Sequence, residues 1–236
     1  MSTADMILSF ADSRSSFSLC ELADYVRKRE NISDSGILWH LKNLIKENRL
    51  SRISRGLYGT GRAKEFALSV SDDEKKLYYD VTKAFPLIDV VIYSGNDITA
   101  LQHHISANNT TYVEVSKEAT EAVFHYLTDR KIEAYHKPTA DFMNEYVDLG
   151  EKSVIVKPLT TEAPVKVIDS VCVPTLEKIL VDINADSDFY YLQDSETFYI
   201  MENARSLYSI NVPRMLRYAS RRGIKNKMMT ILQNAE

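Results

Sequence analysis

Three helical patterns followed by a hairpin pattern fill residues 3–60, and this order restricts the fold more than any other feature of the chain. The first helix is predicted over Thr3–Ala11. The second begins at a capping box, in which Ser18 caps the helix and Glu21 reaches back to it. Its apolar residues recur at the i, i+3, i+4, i+7 spacing of one helical face, namely Leu19, Leu22, Ala23 and Val26.

A third helix is predicted after Ser33 or Asp34, either of which can cap it. One face carries the apolar residues Ile37, Leu38, Leu41, Leu44 and Ile45. The opposite face carries Ser35, Trp39, Lys42, Asn43 and Lys46. Trp39 is the only tryptophan of the chain, and its place among lysines favours a binding face. The alternative is that Trp39 covers an edge of the core or packs under the hairpin, since tryptophan is usually well buried.

The hairpin is predicted over "RLSRISRGLYGTGR", with strands at Leu50–Ile53 and Leu57–Gly59 and a turn at residues 54–56. Three helices and a hairpin in this order predict a winged helix-turn-helix domain, whose third helix enters the DNA major groove. Cations of the wing would contact phosphates, and the third helix would contact base edges. The candidates for DNA binding are Ser35, Trp39, Lys42, Asn43, Lys46, Arg52, Ser54, Arg55, Tyr58 and Arg62. A basic surface on a winged-helix module that binds protein is the alternative.

The distribution of charge agrees with a nucleic-acid-binding N-terminus. Residues 27–64 hold ten lysines and arginines against three acidic residues, a net charge of +7. Residues 71–202 hold 11 basic against 24 acidic residues, a net of −13, and residues 203–235 hold seven basic and no acidic ones. Such an asymmetric distribution of charge indicates that one part of the chain binds nucleic acid and another part does not.

The remaining chain predicts a second domain. A capping box at Ser71 and Glu74 opens a helix, so the domains are expected at residues 1–70 and 71–236. Strand patterns at "IDVVIYSG", "TTYVEVS", "IEAYH", "KSVIVKPL" and "VKVIDSV" alternate with helical patterns at "NDITALQHHI", "KEATEAVFHYLTDR" and "PTLEKILVDIN". This predicts a mixed α/β fold, partly parallel, with basic helices at the C-terminus.

A search of this second domain for chemistry finds little. It has no phosphate-binding glycine loop and no histidine pair at metal-ligand spacing, so no catalytic residue, metal or cofactor is expected. Asp186 and Asp188 have the DxD form of magnesium-binding nucleotidyltransferases, but they fall in a polar stretch far from the "SGND" turn. A divergent nucleotidyltransferase or nuclease stays open as an alternative. Glu177 and Asp182 are expected to face solvent.

Composition points to a soluble, cytoplasmic chain that needs no membrane. There is no secretory signal and no apolar run long enough to span a bilayer. Cys20 and Cys172 are far apart in the sequence, and two buried, reduced thiols are expected.

The short motifs "SRGLY", "PTLEKILVDI" and "LRYASRRG" resemble the AbiEi family, the antitoxins and transcriptional regulators of type IV toxin–antitoxin, or abortive-infection, systems. The resemblance spans nearly the whole chain in the order of its elements. It implies a bacterial repressor that binds double-stranded DNA at an inverted repeat in its own operator. It also implies that the second domain counteracts a nucleotidyltransferase-type toxin, without requiring a stable complex. It matches Arg52, Ser54, Arg55, Gly56 and Tyr58 to wing residues, and nothing catalytic.

Overall fold

The structure is a computed structural model. It describes the chain except for residues 1, 15, 48, 55, 61–64, 100, 103–107, 193–194 and 235–236, and for residues 54 and 195 it describes the backbone alone. The described chain divides into two compact units, residues 1–65 with 205–212 and residues 66–204 with 213–236.

The N-terminal unit combines helices with a small antiparallel sheet. Its elements in chain order are α1 (Thr3–Asp12), β1 (Phe17–Ser18), α2 (Leu19–Arg27), α3 (Asp34–Lys46), β2 (Leu50–Ser54) and β3 (Leu57–Thr60). The strands lie in the order β1-β3-β2. The helix starts follow the sequence prediction, because Ser18 and Glu21 form a complete capping box and the Ser33 hydroxyl accepts from the Gly36 amide.

The core of this unit combines the predicted apolar faces of the helices with Phe17, Leu50 and Tyr58 from the three strands. Its buried members are Ile7, Phe10, Ala11, Phe17, Leu22, Ala23, Val26, Ile37, Leu41, Leu44, Leu50 and Tyr58. The hairpin turn is fixed to α2, since the Leu19 amide donates to the Gly56 carbonyl. Gly56 has a φ of +82°, a conformation that glycine adopts without strain.

The second unit, the body, is a mixed α/β fold. Its strands are β4 (Val90–Ser94), β5 (Thr111–Val115), β6 (Ala134–His136), β7 (Val154–Pro158), β8 (Val165–Ile168) and β9 (Val171–Pro174). Its helices are α4 (Asp72–Ala84), α5 (Asn96–Thr99), α6 (Thr120–Thr128), α7 (Ala140–Tyr146), α8 (Leu176–Ala185), α9 (Ser195–Leu207), α10 (Val212–Arg221) and α11 (Lys225–Asn234), with 3₁₀ turns at Lys117–Ala119 and Ser187–Leu192. The last residues of α9 and the first of α10 fall in the 205–212 segment.

The main sheet has the order β4-β5-β7-β6 and is partly parallel, as predicted. β4 runs antiparallel to β5, whereas β5 and β6 both run parallel to β7. β8 and β9 form a separate hairpin.

Three sequence predictions about local structure are wrong or incomplete. The single strand expected over "VKVIDSV" is a hairpin, because Asp169 and Ser170 both take positive φ and turn the chain. The helix expected over "NDITALQHHI" ends at Thr99 among the described residues, and residues 103–107 lie outside them. Of the two cysteines expected to be buried, Cys20 is exposed and Cys172 is partly buried, both as free thiols.

Within the described chain, none of the helices is both long enough and apolar enough to cross a membrane.

Candidate nucleic-acid interface

The outer face of α3 carries most of the predicted binding residues. Ser35, Trp39, Lys42 and Lys46 follow at intervals of four, three and four residues, so they lie on one side of the helix. All four are exposed, and Asn43 beside them is partly buried. Ile37, Leu41 and Leu44 on the opposite side are buried in the core. The amphipathic pattern read from the sequence is therefore confirmed for this helix.

The charge on this face is positive. Neither Lys42 nor Lys46 forms an ion pair with any described residue. The two acidic residues of the segment stand at its ends, with Asp34 in an ion pair with Arg27 and Glu47 at the C-cap. We call the surface formed by Ser35, Trp39, Lys42 and Lys46 the α3 face.

The hairpin adds one described cation near the turn. Arg52 is exposed on β2, where it lies opposite Tyr58 of β3. Arg55 and Arg62 lie outside the described residues, and Ser54 is described only as strand backbone. Their proposed contacts with DNA stay predictions.

Tyr58 does not belong to this surface. Its side chain is only 7% exposed, and its ring stacks on Phe17 with the ring centres 6.1 Å apart. The reason is the register of the sheet, since Tyr58 pairs with Phe17 on β1 and both enter the core. Strand alternation alone could not reveal this, because β1 is a two-residue strand without a sequence pattern.

Trp39 is 61% exposed, so the alternative in which it covers the core is wrong. Its indole meets the His40 ring edge-on, with the ring centres 4.9 Å apart. This contact restrains a side chain that otherwise projects from the helix.

The DxD pair of the body is bonded to cations of the chain itself. The Lys157 ammonium donates to Asp186 at 3.0 Å and to Asp188 at 2.8 Å, and Lys157 and Asp188 are both buried. Burial alone would lower the pKa of Lys157, but the attraction of Asp186 and Asp188 raises it well above its ordinary value. For Asp186, burial would raise the pKa, yet Lys157 and Arg222 lower it to about 2. The described residues include no group of three or more histidine, cysteine, aspartate or glutamate side chains arranged to hold a metal ion.

Glu177 and Asp182 are buried, contrary to the sequence prediction. Lys178, which is fully buried, donates to Glu114 on β5 at 2.6 Å and to Asp182 at 2.5 Å. Glu177 accepts from Arg214 at 2.8 Å. The sequence of α8 gave no signal for this burial, because Lys178 and Asp182 are four residues apart and form a polar strip like that of a helix facing solvent.

A pocket of about 920 Å³ opens in the body beside the "SGND" turn. Asp97 in its wall accepts from the backbone of Ser94 and Ser69, and burial raises its pKa to about 6. Glu74, the buried carboxylate of the α4 capping box, lies nearby. At the rim Asp73 forms an ion pair with Lys152.

The described residues define a mixed α/β protein whose N-terminal unit carries an exposed, positively charged helix face. Residues 36–236 match the family described as a family of unknown function (DUF6577), and the chain therefore belongs to that family. The match begins inside α3 and includes the hairpin and the whole body. A comparison with curated proteins finds no match.

Proposed function

We propose that the N-terminal unit is a winged helix that binds double-stranded DNA and that the protein is a transcriptional regulator. The observation that carries this proposal is the α3 face, where an exposed tryptophan on the third helix is followed by two lysines that have no ion-pair partner among the described residues. The order α1-β1-α2-α3-β2-β3 supports it, since a short strand before the second helix pairs with the hairpin. Lysines in this position match the electrostatic footprint of a DNA-binding surface.

The same chemistry assigns roles within the site. We assign Lys42, Asn43 and Lys46 to base edges or phosphates in the major groove, and Arg52 to phosphates beside it. Arg55, which lies outside the described residues, is assigned to phosphates from its position in the sequence alone. The target is the protein's own operator, an inverted repeat, and the protein acts there as an autorepressor in the cytoplasm.

The body is proposed to act as an antitoxin against a nucleotidyltransferase-type toxin. This part rests on the resemblance of "PTLEKILVDI" and "LRYASRRG" to the AbiEi family. The enzyme alternative has less support, because Asp186 and Asp188 already bind Lys157 and Arg222. A protein-binding winged helix is favoured by one observation, the exposed Trp39.

Binding of the purified full-length protein to its own upstream DNA, across a salt series, tests the regulator. Lys42→Ala with Lys46→Ala should weaken binding and reduce the slope of log affinity against log salt by about 2, one for each lost phosphate contact. The matched control is Lys76→Ala with Lys83→Ala, which removes the same charge from exposed positions of α4 in the body. Equal affinity and slope for both double variants would overturn the proposal.

Growth of cells that co-express this protein with the product of its neighbouring gene, as the candidate toxin, tests the antitoxin. The Lys42/Lys46 double variant should bind DNA more weakly and still restore growth, because the two activities are assigned to different units. If the wild-type protein does not restore growth, the antitoxin function is rejected, and the proposed DNA-binding function is unaffected.

A further inference from the structure

Trp39 gives the α3 face an apolar centre. Its indole is 61% exposed in the middle of α3, on the side of the helix away from the core. Ser35 lies one turn before it, and Lys42 and Lys46 lie one and two turns after it. The face therefore offers a flat apolar ring with cations toward the C-terminal end of the same helix.

A ligand of this face must combine negative charge with an exposed apolar group. The major groove of DNA meets both requirements, because phosphates border it and the 5-methyl group of thymine is the apolar group that its floor presents. The bases of an intact duplex are stacked, so a helix in the groove reaches their edges and not their faces. An indole on such a helix can contact a methyl group there and cannot stack on the bases.

Contact with the His40 ring prepares Trp39 for binding. The edge-to-face arrangement of the two rings, at an interplanar angle of 83°, restrains the indole before a ligand arrives. A restrained side chain loses less conformational entropy on binding than a free one.

We propose that Trp39 is a specificity-determining residue that recognises a pyrimidine 5-methyl group in the major groove, supplied by thymine. The proposal rests on the DNA-binding function proposed above and adds to it the chemical group that is read. The same methyl group occurs on 5-methylcytosine, so the test separates the two sources.

The test compares three forms of the same upstream fragment, amplified with thymine, with uracil in place of thymine, or with 5-methylcytosine in place of cytosine. Uracil differs from thymine only by the missing methyl group. The wild-type protein should bind the uracil form at least about threefold more weakly, the effect expected when one buried methyl group is lost. Trp39→Ala should bind the thymine and uracil forms equally.

Lys42→Ala is the matched control, because it lies on the same face and carries charge instead of apolar surface. It should bind both forms more weakly than the wild type and keep the wild-type ratio between them. Far-UV circular dichroism of each variant should show the same helix content as the wild type.

The outcomes separate this proposal from the one on which it rests. Absence of any DNA binding would remove the DNA-binding function itself. Binding with the same thymine-to-uracil ratio in the wild type and in Trp39→Ala would overturn the role of Trp39 alone. A gain on the 5-methylcytosine form that Trp39→Ala abolishes, without loss on the uracil form, would reject thymine as the source.

Discussion

At the scale of single residues, Gly95 lies so close to Asn108 that the loop has no space for a side chain at this position. A β-carbon at this position would lie 2.1 Å from Cγ of Asn108. Asn108 cannot retreat, because it is fully buried and its amide donates to the hydroxyls of Tyr112 and Tyr191. We expect Gly95→Ala to lower the free energy of unfolding by about 1–3 kcal/mol, the usual effect of overpacking, as measured by urea denaturation.

Gly150→Ala is the control for this prediction. There the nearest atom to a new β-carbon is Oδ1 of the exposed Asp148, at 3.1 Å, and that side chain can move aside. A loss of stability at Gly150 as large as at Gly95 would contradict the explanation by crowding.

Asp97 provides a pH-dependent test at the same scale. Burial raises its pKa to about 6 in the folded protein, above its value in the unfolded chain, so the folded state binds the proton more tightly. Its contribution to stability is therefore present at pH 4 and is lost as the pH rises to about 7. The free energy of unfolding of Asp97→Asn should therefore rise relative to that of the wild type, by on the order of 2 kcal/mol between pH 4 and about pH 7. Urea denaturation at each pH measures this difference.

Asp73→Asn should show the opposite trend. A hydrogen bond from Lys152 lowers the pKa of Asp73. The contribution of Asp73 to the stability of the folded protein therefore grows as the pH rises through the acidic range. If the Asp97 and Asp73 variants follow the same course, burial of Asp97 is not the cause.

At the scale of secondary-structure elements, two adjacent arginines with different surroundings mark the end of α10, Arg221 as its last residue and Arg222 directly after it. The Arg222 side chain is 17% exposed and binds Asp182 and Asp186, whereas the Arg221 side chain is 49% exposed and binds the exposed Glu162. Removing one partner of a buried ion pair leaves an uncompensated charge. We expect Arg222→Ala to lower the free energy of unfolding by about 2–4 kcal/mol, and Arg221→Ala by less than about 1 kcal/mol.

Thermal and urea denaturation of the two variants, followed by circular dichroism, measure this difference. Each substitution removes one positive charge from the same end of α10, so the change in net charge cancels in the comparison. Equal effects would mean that the ion pairs of α10 with the end of α8 do not stabilise the body.

The elements themselves were largely predictable from the sequence, and their charged contacts were not. Local signals, namely the Ser18 and Ser71 capping boxes and the period of the apolar residues, set the helix starts. The partners of Lys178 and Asp182 include Glu114 on β5 and Arg222 beyond α10. Such pairs depend on residues that are distant in the sequence, and no local pattern specifies them. For this reason the sequence predicted that the acidic residues of α8 face solvent.

At the scale of the whole molecule, the separation of the chain into basic and acidic segments could be read from the sequence. The ion pairs that the C-terminal basic residues form with the body could not. The sequence left open whether the seven basic residues near the C-terminus contact DNA, the acidic surface of the body or the toxin. Three of them, Arg214, Arg221 and Arg222, form ion pairs with acidic residues of the body. This concentrates the case for DNA contact on the N-terminal unit.

The single tryptophan allows that unit to be observed within the intact protein, because all indole fluorescence comes from Trp39. An exposed indole should be quenched readily by acrylamide in the free protein. Operator DNA should protect it at low salt, and the protection should disappear as salt rises, because counterion release drives binding. The Lys42→Ala, Lys46→Ala double variant should show no protection at the same DNA concentration. If DNA binds, as seen by fluorescence anisotropy of the labelled fragment, while quenching stays unchanged, the contact lies elsewhere than the α3 face.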